Sequence, residues 1–283
     1  MGNRILEAPR PIWHIGPWLL ALLVLAACGG STTLEAGAPP EASDVTTSLT
    51  SLVLNPNAGV TTTTRATRTS GARVLPLAGP LEPGVRYEPA AFDPPVSVVL
   101  PQPGWEHQQF PPFPVTDLME FGKNLRADGE ADVYVGFLRV SDVWSEHLVP
   151  DPVVPKEASS VVAAPTDLYG WFTSIPHTRV TEPQRTTVGG YPATTFNLEV
   201  LPLPRPEAAG TCNGRPCLLL FSLQSPGGYT AAFEGTTAQY WIIDAGANRY
   251  VAVVELGGAA GSGAANAALR QEALDVVGSF KAT

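Results

Sequence analysis

Gln239-Tyr240-Trp241-Ile242-Ile243, then Asp244-Ala245-Gly246-Ala247-Asn248, then Tyr250 through Leu256, decide how this chain folds. Two runs rich in β-branched and aromatic residues flank a segment whose Asp, Gly and Asn suit a tight turn, so together they read as an antiparallel hairpin. Thr116 to Phe121 and Asp132 to Val140, joined through Asp128-Gly129, read as a second hairpin. Val96 to Leu100, Thr194 to Val200 and Leu218 to Phe221 carry the same strand composition between Gly, Pro, Asn or Asp. Two stretches break the pattern. After Thr166, a candidate cap, Leu168, Trp171, Phe172 and Ile175 recur at helical spacing until Pro176. From Ala264 to Val277, Leu269, Ala273, Val276 and Val277 share one face, with Gly278 as the stop. The expected fold class is therefore α+β: a mostly antiparallel sheet with helices covering its faces, a layered α/β/α sandwich.

The order of these elements carries a resemblance. An early strand runs into Leu100-Pro101 and Gly104-Trp105, and a hairpin surrounds Val188-Gly189-Gly190-Tyr191-Pro192-Ala193. Two long late strands and a helix ending in Gly278-Ser279-Phe280 follow. The arrangement is similar to PsbP-like α/β/α sandwiches among bacterial lipoproteins. The resemblance implies a binding or assembly role without catalysis, although a fold alone does not settle function.

Arg4 and Arg10, an apolar stretch from about Ile15 to Ala27, and Leu25-Ala26-Ala27-Cys28 ahead of Gly29-Gly30 read as an export signal. The apolar stretch is shorter than the roughly 20 residues a bilayer span requires. The tetrapeptide resembles the lipobox of bacterial lipoproteins. That resemblance implies cleavage before Cys28, a diacylglyceryl thioether on its sulfur, and placement on the extracytoplasmic face of the cell membrane, or on the outer membrane of a double-membraned host. Each buried methylene contributes about 0.8 kcal/mol, so two acyl chains hold durably without a transmembrane helix. Residues 1–27 are thus expected as signal peptide. Residues 28–83, rich in Ser, Thr, Pro, Ala and Gly and including Thr61-Thr62-Thr63-Thr64, read as a disordered stalk. Residues 84–283 are long enough for a single globular domain.

The formal net charge is -9, and loss of Arg4, Glu7 and Arg10 with the signal takes it to -10. An acidic surface repels phosphate backbones, which argues against nucleic acid as a partner. With Cys28 assigned to lipid, Cys212 and Cys217 remain as an even pair in an exported chain, and they read as a local disulfide clipping a turn. The spacing is not C-x-x-C, and no histidine lies close in sequence, so redox or zinc chemistry is disfavoured.

Catalytic patterns are scarce. No Gly-x-Ser-x-Gly elbow occurs in residues 84–283. His107, His147 and His177 are isolated in sequence and read as surface or loop residues. Asp128, Glu130 and Asp132 alternate like the start of a calcium loop, but Val133 replaces the required glycine and the distal glutamate is missing, so they read as a solvated hairpin tip. Trp105-Glu106-His107 and Trp144-Ser145-Glu146-His147 echo one another without ligand spacing. No metal site and no cofactor are expected. The rings of Trp105, Phe110, Phe113 and Trp144 form a candidate binding surface for an envelope protein or a small apolar ligand, against the simpler reading that most of them belong to the core. These features together point to a lipid-anchored envelope protein that binds and does no chemistry. The competing reading is an envelope hydrolase whose triad assembles from distant residues, with His147 or His177 as base. A solute receptor is disfavoured because this domain is short for two lobes.

Overall fold

The computed structural model describes residues 71–107, 116–126, 130–148, 160–204, 211–212, 215–224, 228–257 and 264–282. In chain order the first strands are β1 (Arg73–Val74), β2 (Gly79–Pro80), β3 (Arg86–Glu88), β4 (Val96–Val99) and β5 (Trp105–His107). β6 (Leu118–Lys123) and β7 (Val133–Arg139) follow, then β8 (Asp142–Trp144) and β9 (Val161–Ala163). Helix α1 (Leu168–Ser174) precedes β10 (Thr178–Val180), β11 (Gln184–Val188) and β12 (Tyr191–Val200). β13 (Thr211–Cys212), β14 (Arg215–Ser222) and β15 (Tyr229–Phe233) lead to β16 (Thr237–Ala245) and β17 (Asn248–Leu256). Helix α2 (Ala264–Gly278) and β18 (Lys281–Ala282) come after them.

The central sheet has nine strands in the order β10-β12-β16-β17-β7-β6-β5-β2, with β11 also paired to β12. Every pairing in it is antiparallel. Turn chemistry fixes its hairpins. Ala245 pairs with Asn248 across Gly246-Ala247, and Gly246 takes a φ of 67°. Val188 pairs with Tyr191 across Gly189-Gly190, whose φ values of 60° and 93° are those a two-residue turn between twisted strands demands.

Alternation then sorts the side chains into two cores. On β7, Val133, Val135 and Phe137 join Met119, Phe121, Ile243, Tyr250 and Ala252 on one face. Ala273, Val276 and Val277 of α2 cover that face together with Val96 and Val98 of the four-stranded sheet β1-β3-β4-β18. Phe280 closes it, stacked 5.5 Å from Phe137 and edge-on 5.3 Å from Tyr250. The opposite face presents Leu138, Phe196, Leu198, Tyr240, Ile242 and Val251 to α1 and to β14 of a five-stranded sheet built from β13, β14, β15, β8 and β9. Phe172 of α1 is the keystone there, 4.9 Å from Phe196, 5.0 Å from Tyr240 and 5.8 Å from Phe221.

The helix-covered α+β sandwich expected from sequence, and implied by the PsbP-like resemblance, is therefore corrected. The protein is mostly β, and among the described residues only two helices occur, of 7 and 15 residues. Small sheets share the covering of both faces because Val96–Val99 and Arg215–Ser222 carry their apolar residues as strands. All seven strands and both helices anticipated from sequence are present, with shifted ends. The cap of α1 is Asp167, whose carboxylate accepts from Gly170 N–H at 2.8 Å, one residue beyond Thr166. Leu75 and Leu81, on the stalk side of the expected boundary at 83, are buried in the first core. Their amides bond to Glu88 O and Trp105 O, so the folded body already includes residues from 71 onward.

Candidate functional site

A polar cleft of about 470 Å³ opens where the central sheet meets the five-stranded one. Its size lies within the range of small-molecule sites. The chain builds it at a crossing: β7 ends at Arg139, Val140 and Ser141 pass between the sheets, and β8 begins at Asp142. The β16–β17 turn supplies Asp244, Gly246, Ala247, Asn248 and Arg249, and Gln224 enters from the segment after β14. Backbone bonds fix these pieces: Val140 N–H to Arg249 O at 3.2 Å and Ala164 N–H to Ser141 O at 2.8 Å.

Electrostatics hold the frame. The Arg249 guanidinium bonds Asp244 Oδ1 at 3.2 Å, Pro165 O at 3.3 Å and Thr166 O at 2.7 Å. Arg139 donates through Nη1 to the Asp93 carbonyl. Asp117 is fully buried beside this frame, where it accepts from the Gln224 amide at 2.8 Å and from Arg139 N–H through its own carbonyl at 2.9 Å. Burial raises the Asp117 pKa above the usual carboxylate range, against the opposing pull of the Gln224 N–H and the Arg139 charge. Among the described residues, Asp117 Oδ1 and Ser141 Oγ are buried without a hydrogen-bond partner, a desolvation cost carried by the fold.

A second polar group lies on the inner face of the central sheet. Register places Glu120 opposite Gly136 and Glu255 opposite Tyr134 on the same face, with Ala238 on the far side of Glu255. Burial pushes both carboxyls up to about 7, and the charge of Glu255 adds to the rise at Glu120. At Glu255, Arg215 pulls down and Glu130 pushes up.

The residues singled out from sequence are distributed differently from expectation. Trp105 and Trp144 are 0% and 5% exposed, so neither ring is displayed for recognition. Trp105 packs in the first core, with Lys123 Nζ 5.6 Å from its ring centre, and Trp144 packs against the disulfide. Phe110, Phe113 and Cys28 lie outside the described residues. The Cys212–Cys217 disulfide is formed, and both cysteines are buried against Trp144 and Leu219. His107 and His147 are buried and not at the surface. Their Nδ1 atoms lie 2.6 Å from Pro76 O and 2.7 Å from Leu219 O. A carbonyl only accepts, so each Nδ1 carries the proton and donates. Burial holds both rings below the usual histidine pKa. The two Trp-Glu-His echoes thus share a structural role, a buried indole followed by an imidazole tied to the backbone. His177 is an exposed turn residue with a φ of 59°. Asp132 ties Asn124 and Arg126 at 2.9 and 2.7 Å, and Asp128 lies outside the described residues. Among the described residues no cluster of three His, Cys, Asp or Glu suits a metal, and no helix is long and apolar enough to cross a membrane.

Sequence reasoning missed both polar groups. Asp244 to Asn248 was legible only as turn chemistry. Glu120 and Glu255 did carry a signal, because they fall in phase with the inward-facing Leu118 and with Val251 and Val253.

No protein-family model and no curated protein matches the chain. Among solved structures, LpqN of Mycobacterium tuberculosis, described as involved in cell envelope biogenesis, is 12% identical. That likeness covers 73% of this chain and 90% of LpqN at a TM-score of 0.22, too loose a superposition to argue from.

Proposed function

We propose that this chain is a lipid-anchored, extracytoplasmic binding protein of the bacterial cell envelope, tethered through Cys28 and holding a small polar ligand in the cleft between its two large sheets. The observation that carries the binding reading is that cleft, where Arg139, Ser141, Gln224, Asp244 and Asn248 converge from separate elements. Its lining favours a polar ligand over the apolar one expected from aromatic residues. The lipobox at Leu25-Ala26-Ala27-Cys28 supports the anchor. Support for binding without chemistry comes from the histidines: His107 and His147 are buried, and His177 is an exposed turn residue.

The anchor is tested by acyl labelling of cells expressing the full chain. Label on the wild type and none on Cys28→Ala is expected, and equal labelling overturns the anchor. The cleft is tested by native mass spectrometry of the full chain extracted in mild detergent. A small-molecule adduct that disappears in Ala247→Trp, which plugs the cleft from an exposed turn, is expected. An adduct unaffected by that change, or none in either protein, overturns the binding reading. A fluorophosphonate probe should leave the purified protein unlabelled, and labelling would favour a hydrolase.

A further inference from the structure

Resting on the binding reading above, we propose that the cleft takes a neutral, hydroxyl-rich ligand, a carbohydrate, and discriminates against anions and apolar molecules. Arg249 is already committed to Asp244 and to two carbonyls. Arg139 is committed to the Asp93 carbonyl and stands in the field of Asp117. Asp142 adds a further negative charge close enough to act on Asp117. Arg249 is ion-paired to Asp244, while Arg139 faces the nearby Asp117 and Asp142 through their field alone, so two guanidiniums stand against three carboxyls and no surplus positive charge offsets the desolvation of a phosphate or carboxylate. A chain with a net charge of -9 adds long-range repulsion of the same sign.

Apolar ligands are disfavoured by the lining. Among the described residues, Val140 and Ala247 are its largest apolar contributions and no aromatic ring takes part. What remains is a dense mixture of neutral donors and acceptors. The Asn248 and Gln224 amides each offer two donors and one acceptor oxygen. A hydroxyl both donates and accepts. A molecule bearing several hydroxyls can therefore satisfy alternating amide, carboxylate and guanidinium groups at once, where an anion would meet Asp244 and an alkane would strand every polar atom. Asn248 is the specificity residue on this reading, because its amide sits on the turn that forms one wall. A site built to hydrogen-bond a hydroxyl strongly rejects analogues lacking it.

The test uses the fluorescently labelled full chain on immobilised neutral and acidic oligosaccharides, with free maltose and glucose 6-phosphate as competitors. Retention on neutral glycans is expected. It should fall at least about tenfold in Asn248→Leu, with an unchanged melting temperature. Gln224→Leu, on an exposed segment, gives the same reading should the turn variant fail to fold. Preference for acidic glycans, retention indifferent to both variants, or no retention at all overturns the proposal. An anionic or apolar adduct in the native mass spectrum would overturn the carbohydrate assignment and leave the binding reading standing. The absence of both adduct and glycan retention would remove the two together.

Discussion

Gly189 shows how one residue can lock distant parts of this protein. A Cβ there would stand 1.8 Å from Phe280 O, whereas Gly190 next to it has open space within 4 Å. Both glycines hold positive φ, which costs an L-residue about 1–2 kcal/mol at either position. Gly189→Ala should therefore destabilise by about 2 kcal/mol more than Gly190→Ala, read from paired urea melts, because only the first adds a steric clash. Equal losses would show that the contact with Phe280 gives way. The Gly189-Gly190 turn was legible because its chemistry is local. The burial of Trp105 and Trp144 was not, because strand ends in sequence can be sheet interiors in space. Cys212 and Cys217 were legible as a pair because they are the two cysteines left once Cys28 is set aside, with four residues between them.

Among the elements, α2 is pinned to the sheet by polar contacts as well as by its apolar face. Lys123 Nζ lies 2.6 Å from Glu272 and donates to Pro103 O at 2.5 Å, with the lysine side chain only 8% exposed. Removing one partner from a largely buried pair strands the other, so Glu272→Ala should cost about 3 kcal/mol in denaturant titrations. A cost near zero would mean that water replaces the carboxylate. The β13–β14 clip is weaker. Its short loop restricts the unfolded chain little, and Cys212→Ala with Cys217→Ala should cost about 2 kcal/mol from lost closure entropy, measured against the wild type under oxidising conditions. Much larger losses would mean that packing around Trp144 outweighs loop closure. Long strands were legible because alternation and turn residues specify them locally. Two- and three-residue strands such as β1, β2, β9 and β18 were not, since their partners define them. That asymmetry produced the wrong fold class: helices announce themselves by period, while short covering strands pass for loops, so the layers over the sheet were assigned to helices alone.

For the molecule as a whole, Glu120 and Glu255 couple stability to pH. A carboxyl raised from the unfolded range to about 7 binds its proton more tightly in the folded state. The associated stability is fully present below the unfolded pKa near 4.5 and is lost as pH rises through about 7. The melting temperature should fall between about pH 5 and about pH 8. Glu120→Gln with Glu255→Gln should flatten that decline and raise the melting temperature at the upper end, and an unaltered slope in the double variant would assign it to other groups.

A last consequence follows from β18 lying on β4 and from the bonds between Ser279 Oγ and the Val99 backbone, across a sequence separation of 180 residues. Contacts that far apart cannot form until nearly the whole intervening polypeptide has been synthesised. For the exported chain proposed above, this late suturing would leave the closing of that edge to the compartment where its cysteines oxidise.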